Sequence, residues 1–223
     1  MRRIRQYFKP DSVEEALALL QSYDARPLAG GQRVLVEEPS EPVSVVDLQA
    51  LGLDGLVRQD GRLGIGAMVR LQTLVESALV PPLLGDAARR EGPLTYRHAA
   101  TVGGTVATGD ALSCVLVALL ALDAEVHIRH ADSSQTVSLE DLLADPAGVL
   151  RGGLITGVEV LTGADGTAFA MVARTPRDQP IVAAVVRVVR RGDRCAEARI
   201  ALGGVAARPL RLREVEALLS DVP

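Results

Sequence analysis

Two short segments with paired glycines constrain most strongly how this chain can fold. The first, at 28–34, reads Leu-Ala-Gly-Gly-Gln-Arg-Val, and the second, at 101–110, reads Thr-Val-Gly-Gly-Thr-Val-Ala-Thr-Gly-Asp. Paired glycines allow positive φ and let a ligand or another backbone approach closely. The first segment follows a predicted strand, and the second precedes an apolar stretch at 114–122 that predicts a buried helix. We therefore predict a close backbone approach at both places.

Each segment allows a structural and a ligand-binding interpretation. In the first, successive N–H groups can form an anion-binding nest, or the glycines can form a tight strand-to-helix turn. In the second, N–H groups and threonine hydroxyls can satisfy pyrophosphate oxygens ahead of a helix N-terminus. Asp110 there can accept hydrogen bonds from sugar or ribityl hydroxyls, or it can cap the helix. Neither segment is a Gly-x-Gly-x-x-Gly or a Gly-Lys-Ser/Thr motif, which argues against a Rossmann site or a P-loop.

Composition narrows the class of protein. The chain has 223 residues, of which 48% are hydrophobic and 23% charged, as in ordinary globular proteins. Its net charge of −4, with no basic stripe, argues against a nucleic-acid partner. No apolar run approaches the ~18 residues of a membrane helix. The basic N-terminus lacks an apolar signal core, so we expect no export and a cytoplasmic location.

The residues that bind metals or act as nucleophiles are few. Two cysteines and three histidines predict no metal site, and no Ser-His-Asp or Cys-His set can be assembled, so we assign no catalytic residue. Cys114 is either a reactive thiol at a helix N-terminus or a buried structural residue, and its apolar neighbours favour the second. The chemistry is therefore expected from a bound organic cofactor or a partner subunit.

Hydrophobic periodicity predicts a mixed α+β chain. Ser12 and Glu15 form a capping box ahead of an apolar helical face. Strands are predicted at 43–48, 124–128 and 154–160, a hairpin turns at 59–61, and helical residues occupy much of 69–90. Three strand-like runs and a helix follow residue 163. We predict an N-terminal domain at 1–162, with subdomains at about 1–52 and 53–162, and a short C-terminal domain at 163–223.

Several motifs, in this order, resemble the flavin-binding medium subunit of the molybdenum hydroxylases, the family that contains carbon monoxide dehydrogenase and xanthine dehydrogenase. Both glycine segments fit that family. So do four further stretches, at 7–17, 63–67, 119–126 and 201–211, so the resemblance spans nearly the whole chain.

The resemblance implies a two-subdomain FAD-binding fold of the vanillyl-alcohol-oxidase/molybdopterin-dehydrogenase type, followed by a short antiparallel domain of three strands and a helix. FAD would be the only cofactor of this chain. The molybdenum cofactor and the [2Fe–2S] clusters are expected on a large and a small partner subunit. The implied FAD contacts are Ala29, Gly30, Gly31, Gln32, Arg33, Val34, Thr101, Val102, Gly103, Gly104, Thr105, Thr108, Asp110, Ser113 and Ile155. We expect valine at Gly103 or Gly104 to fill the space of a phosphate.

Two other functions stay open beside an FAD-binding electron-transfer subunit. Cys114 replaces the family's second Asp, Gln32-Arg33 replaces small hydroxyl residues, 37–41 is acidic, and the C-terminal domain is short. These departures are compatible with a degenerate member that has lost FAD and serves as a scaffold or assembly subunit. A stand-alone FAD reductase is the third possibility, although no NAD motif supports it.

Overall fold

The computed structural model describes residues 4–32, 42–175, 178–220 and 222. The described residues form three sheets, each with its own helices. The fold is mixed α and β, as predicted.

The N-terminal unit is a parallel sheet in the order β1-β3-β2, covered by one helix. Its elements are β1 (Ile4–Phe8), α1 (Val13–Ser22), β2 (Arg26–Leu28) and β3 (Val43–Asp47). Ala16 and Leu17 of α1 are buried with Val46 of β3. The Ser12 hydroxyl caps α1 by accepting from the Glu15 amide at 3.3 Å, as predicted, but the Glu15 carboxylate accepts from the Asp11 amide rather than that of Ser12.

The second unit is a five-stranded antiparallel sheet in the order β4-β5-β8-β6-β7, with a layer of helices on it. Its strands are β4 (Leu56–Gln59), β5 (Arg62–Gly66), β6 (Glu125–Arg129), β7 (Ser134–Ser138) and β8 (Leu154–Leu161). Its helices are α2 (Leu71–Glu76), α3 (Pro82–Arg90), α4 (Leu94–Ala99), α5 (Val102–Thr108), α6 (Cys114–Ala121), α7 (Leu139–Ala144) and α8 (Pro146–Val149). The hairpin predicted at 59–61 joins β4 to β5, and Asp60 and Gly61 have the positive φ that such a turn requires.

Helix α6 lies at the centre of the molecule. All its residues are apolar and buried, which is the pattern of a helix that is covered on every side. It contacts α3 of its own unit and both β10 (Val182–Arg191) and β11 (Arg194–Gly203) of the C-terminal sheet. Val185 and Ala201 of those strands belong to the same buried cluster as α6, so the core continues across the two units.

The C-terminal unit is an antiparallel sheet in the order β12-β11-β10-β9 with a closing helix. Its remaining elements are β9 (Gly166–Val172), β12 (Leu210–Arg211) and α9 (Arg213–Leu218). Three strands and the helix were predicted. The fourth strand, β12, has only two residues, and so short a strand has no periodicity to read.

Candidate functional site

A cleft of about 1370 Å³ runs between the N-terminal unit and the second unit. Ligand pockets commonly measure about 300–1,000 Å³, so this cleft suits a ligand larger than an ordinary small molecule. Its wall combines α1, the segment 29–32, α5, the turn at 130–133, and the start of β8 with the two glycines before it. The two glycine segments, which are about 70 residues apart in sequence, therefore meet at one site.

The first glycine segment forms one edge of the cleft. Ala29, Gly30, Gly31 and Gln32 line it, whereas Arg33 and Val34 lie outside the described residues. Gly31 has φ of +71°, a conformation that favours glycine. A Cβ on Gly30 would collide with the carbonyl of Ala99, so this glycine lets the segment pack against the end of α4, just ahead of α5. The amides of Gly30 and Gly31 donate to no described acceptor and are available to an anion.

The second glycine segment is a helix rather than a loop, and its amides are used within the protein. The Val102 amide donates to Val69 O at 2.9 Å and the Gly103 amide to Ala67 O at 2.8 Å. The Gly104 amide donates to the Thr101 hydroxyl at 3.2 Å, which caps α5. The amides of Val102, Gly103 and Gly104 therefore each have an acceptor within the protein, and their contact with a pyrophosphate stays a prediction.

The threonine hydroxyls at the start of α5 and along it can still form hydrogen bonds with a ligand, one as a donor and two as acceptors. Thr101 accepts from Gly104 and retains its own O–H for a ligand acceptor. Thr105 and Thr108 donate to the carbonyls of Thr101 and Gly104, at 3.0 and 2.8 Å, and retain lone pairs for ligand hydroxyls. All three threonines line the cleft, so one helix face can donate at its first turn and accept further along.

Gly103 and Gly104 serve different purposes. A Cβ on Gly103 would lie 2.7 Å from the Cβ of Ala67, so this glycine lets α5 pack closely against the residue that follows β5. A Cβ on Gly104 would lie 3.0 Å from the Thr101 hydroxyl oxygen, with no other described heavy atom within 4 Å beyond its chain neighbours and its own helix. The expected effect of valine at Gly103 is therefore corrected to a packing defect, and only Gly104 keeps the cleft open.

Four further predicted contacts divide into two that line the cleft and two that do not. Asp110 lines the cleft and accepts from the Leu112 amide through Oδ1 at 2.9 Å, which leaves its second oxygen for a ligand. Ile155 is also in the wall. Val102 is fully buried in the core, and the Ser113 hydroxyl caps α6 by accepting from the Leu116 amide at 3.1 Å. Val102 and Ser113 are not in the cleft wall and act through packing and capping.

Two residues that the sequence did not indicate, Glu91 and Tyr96, complete the cleft beside Asp110. Burial raises the pKa of Glu91 to about 7, and the Asp110 carboxylate adds to this, although bonds from the Ser113 hydroxyl and the Val115 amide oppose it. Burial also raises the pKa of the Tyr96 hydroxyl, with Glu91 as the next cause. Neither residue belongs to a motif, because long-range packing of α3 and α4 brings them to the cleft.

Cys114 lies behind the cleft wall. It is fully buried, and burial together with Glu91 raises the pKa of its thiol to about 12. Over the described ranges, no group of three or more His, Cys, Asp or Glu side chains is arranged to hold a metal ion. Within the same ranges, no helix is both long enough and apolar enough to cross a bilayer.

Comparison with known families accounts for nearly the whole chain. Residues 2–160 match the family described as the FAD binding domain in molybdopterin dehydrogenase. Residues 167–223 match the CO dehydrogenase flavoprotein C-terminal domain.

Individual relatives agree with these matches. The chain is 34% identical over 216 residues to the uncharacterized protein YgfM of Escherichia coli (strain K12), covering 96% of this chain and 79% of that protein. It is 30% identical over 222 residues to the glyceraldehyde dehydrogenase medium chain of Sulfolobus acidocaldarius, covering 94% and 79%.

A solved structure extends the likeness to the fold. Carbon monoxide dehydrogenase from Hydrogenophaga pseudoflava, in a form that lacks the Mo-pyranopterin moiety, superposes with a TM-score of 0.90 at 26% identity. The superposition covers 100% of this chain and 82% of the matched chain. The chain therefore belongs to the FAD-binding medium subunits of the molybdenum hydroxylases, the family that includes carbon monoxide dehydrogenase.

Proposed function

We propose that this chain binds FAD in the cleft and serves as the electron-transfer subunit of a molybdenum hydroxylase-type dehydrogenase. The observation that carries the proposal is the convergence of both glycine segments on one large cleft. That cleft offers the amides of Gly30 and Gly31 at one end and the carboxylate of Asp110 at the other.

The chemistry of the cleft fits FAD part by part. The amides of Gly30 and Gly31, which donate to no acceptor among the described residues, suit the negative pyrophosphate, and the Thr101 O–H can add one donor. Thr105, Thr108 and Asp110 can accept from ribityl hydroxyls. The residues that we propose to contact FAD are Ala29, Gly30, Gly31, Gln32, Thr101, Gly103, Gly104, Thr105, Thr108, Asp110 and Ile155.

The electron route is the second part of the proposal. Bound flavin accepts and donates electrons, while the protein positions it and tunes its potential. Electrons would arrive from [2Fe–2S] clusters on a small subunit, and substrate oxidation would take place at a molybdenum large subunit. The relatives support this division, since the Sulfolobus protein is named the medium chain of a dehydrogenase.

Gly104→Val tests the assignment of the site. The valine side chain would project into the cleft beside Thr101, so we expect flavin binding to fall by at least about 100-fold. Gly166→Val is the matched control, because a Cβ there would meet nothing within 4 Å and the residue lies in an exposed strand outside the cleft. The purified proteins would be incubated with excess FAD, freed of unbound flavin and compared by their flavin absorbance.

The result separates the alternatives. Stoichiometric FAD in the wild type and in Gly166→Val, with none in Gly104→Val, supports the proposed site. Equal flavin in all three would refute the placement of FAD along α5. A folded wild type that takes up no FAD, alone or with its partner chains, would favour the scaffold alternative.

A further inference from the structure

The carboxylate of Glu91 is held in the cleft wall by the helix behind it. Glu91 ends α3, and its Oε2 accepts from the Val115 amide in the first turn of α6 at 2.9 Å. The Ser113 hydroxyl and the Cys114 amide are further hydrogen-bond donors to it. These donors fix the orientation of a side chain that also lines the cleft. The carboxylate is therefore positioned for contact with a ligand.

No cation of the described residues forms an ion pair with this carboxylate. Arg90, its neighbour in sequence, stacks over the Phe169 ring at 5.2 Å. Arg97 donates to the Gln72 side chain and to the Gly92 carbonyl. A carboxylate with donors on one side and no described cation beside it retains acceptor capacity on the side that faces the cleft.

The position of Glu91 along the cleft indicates which part of a ligand it would meet. From Thr101 at the start of α5 to Asp110 beyond its end, the helical rise spans about 13 Å. Gly30 packs against Ala99 and Ala100, just ahead of α5, whereas Glu91 lines the cleft with Asp110, close enough for the two carboxylates to interact. An elongated ligand with its anionic part at the amides would present another part to Glu91.

We propose that Glu91 is a cofactor-binding residue whose carboxylate, beside Asp110, accepts hydrogen bonds from the polyol hydroxyls of FAD. The inference rests on the proposed function, because it takes FAD as the ligand of this cleft. Two neighbouring carboxylates repel a phosphate but accept well from hydroxyl donors. Glu91 thus extends the hydroxyl-binding surface of Thr105, Thr108 and Asp110 across the cleft.

This contact couples FAD binding to a proton. The groups that face Glu91 are the carboxylate of Asp110, the hydroxyl of Tyr96, the thiol of Cys114, and the Ser113 and Val115 donors. With a pKa of about 7 in the free protein, Glu91 is partly protonated at neutral pH. Hydroxyl donors favour its charged form, so FAD binding lowers this pKa and releases a proton.

The test is the pH dependence of FAD affinity in the full chain after removal of bound flavin. If FAD binds the ionised form of Glu91, the dissociation constant of the wild type should fall about tenfold from pH 6 to pH 8. Glu91→Gln retains a side-chain oxygen for the Val115 amide but has no charge, so its affinity should be weaker at pH 8 and change less than twofold. Asp86→Asn is the control, because Asp86 lies on the same helix, is exposed and pairs with Arg89. It should follow the wild type.

A second measurement needs no variant. Calorimetric titration of the wild type with FAD at pH 7, in buffers of different ionisation enthalpy, should show release of about half a proton per FAD. Parallel pH profiles for wild type and Glu91→Gln, or proton uptake on binding, would overturn the inference while leaving FAD binding itself established. A wild type that binds no FAD would overturn the proposed function and this inference together.

Discussion

Cys114 and Glu91 lie close together at the start of α6. Burial raises the pKa of both side chains. A thiol with a pKa of about 12 has almost no thiolate at neutral pH, and the thiolate is the reactive form. The buried interpretation of Cys114 is thereby confirmed over the reactive one.

The protection of Cys114 can be measured by alkylation. In a Cys195→Ser background, the native chain at pH 8 should incorporate less than about 5% of one equivalent of iodoacetamide within an hour, because Cys114 is both buried and protonated. In denaturant it should incorporate one equivalent. Rapid labelling of the folded protein would show that the start of α6 opens readily.

Glu91 also predicts how the stability of the FAD-free protein depends on pH. Its pKa is raised above the unfolded value of 4.5, so between about pH 4.5 and 7 the folded state binds more protons than the unfolded state. The contribution of Glu91 to the free energy of unfolding should therefore fall as pH rises through this window and level off above it. Urea denaturation should show this slope in the wild type and a smaller one in Glu91→Gln. An identical slope in both would assign the effect to other groups.

At the scale of the element, α5 is where sequence-based prediction failed most clearly. Gly103 and Gly104 have poor helix propensity, and threonine is only moderate, so no helix is predicted here from the sequence. Tertiary contacts reverse that preference. The Thr101 hydroxyl caps the helix, and Gly103 lets it pack against Ala67 of the strand region that precedes α2. The structure shows a helix that was not predicted, and its residues line the cleft.

Elements with strong periodicity were predicted well. Helix α1, the β4–β5 hairpin, α6 and the long C-terminal strands all follow the hydrophobic pattern of the sequence. Short elements such as β12 and α8 have too few residues for a pattern. Glu91 shows why the site was predicted less completely than these elements. It reaches the cleft through the packing of α3 on α6, and no spacing of residues along the sequence indicates such a long-range contact.

The cap of α5 gives a prediction at this scale. Thr101→Val removes the acceptor for the Gly104 amide and should lower the free energy of unfolding by about 1 kcal/mol. It also removes the free O–H in the cleft, so FAD affinity should fall about tenfold. Thr101→Ser keeps the hydroxyl and should restore most of both quantities. Unfolding in urea and FAD titration would be compared for the three proteins. A valine variant of wild-type stability would contradict the capping role.

At the scale of the whole molecule, a network of charges joins the second unit to the C-terminal unit. Arg211 is almost fully buried and binds the Glu216 carboxylate through two nitrogens, at 3.0 and 2.6 Å. Its third nitrogen binds Asp123, in the turn between α6 and β6. The Ile200 amide also donates to Glu216, at 2.8 Å. Arg211 therefore holds strand β12, helix α9 and the end of α6 in one arrangement.

Loss of Arg211 should be costly because it removes the cation that pairs with the buried Glu216 carboxylate and leaves the Ile200 amide as its hydrogen-bond donor among the described residues. Burial alone would raise the pKa of Glu216, but the bonds from Arg211 and the Ile200 amide lower it overall. Glu216 therefore contributes stability above its ordinary pKa of 4.5, and this contribution is lost as pH falls through the lowered value. In Arg211→Met the unpaired carboxylate should instead destabilise the protein near neutral pH.

We expect Arg211→Met to lower the free energy of unfolding by about 3–5 kcal/mol at pH 7. Arg213→Met is the matched control, since Arg213 also pairs with a glutamate, Glu140, but is more than half exposed and should cost less than about 1 kcal/mol. The difference between the two variants should shrink towards pH 4, where protonation of Glu216 removes its unpaired charge. Equal losses in both variants at pH 7, by urea denaturation, would mean that the C-terminal unit is held by its apolar contacts with α6 and not by this network.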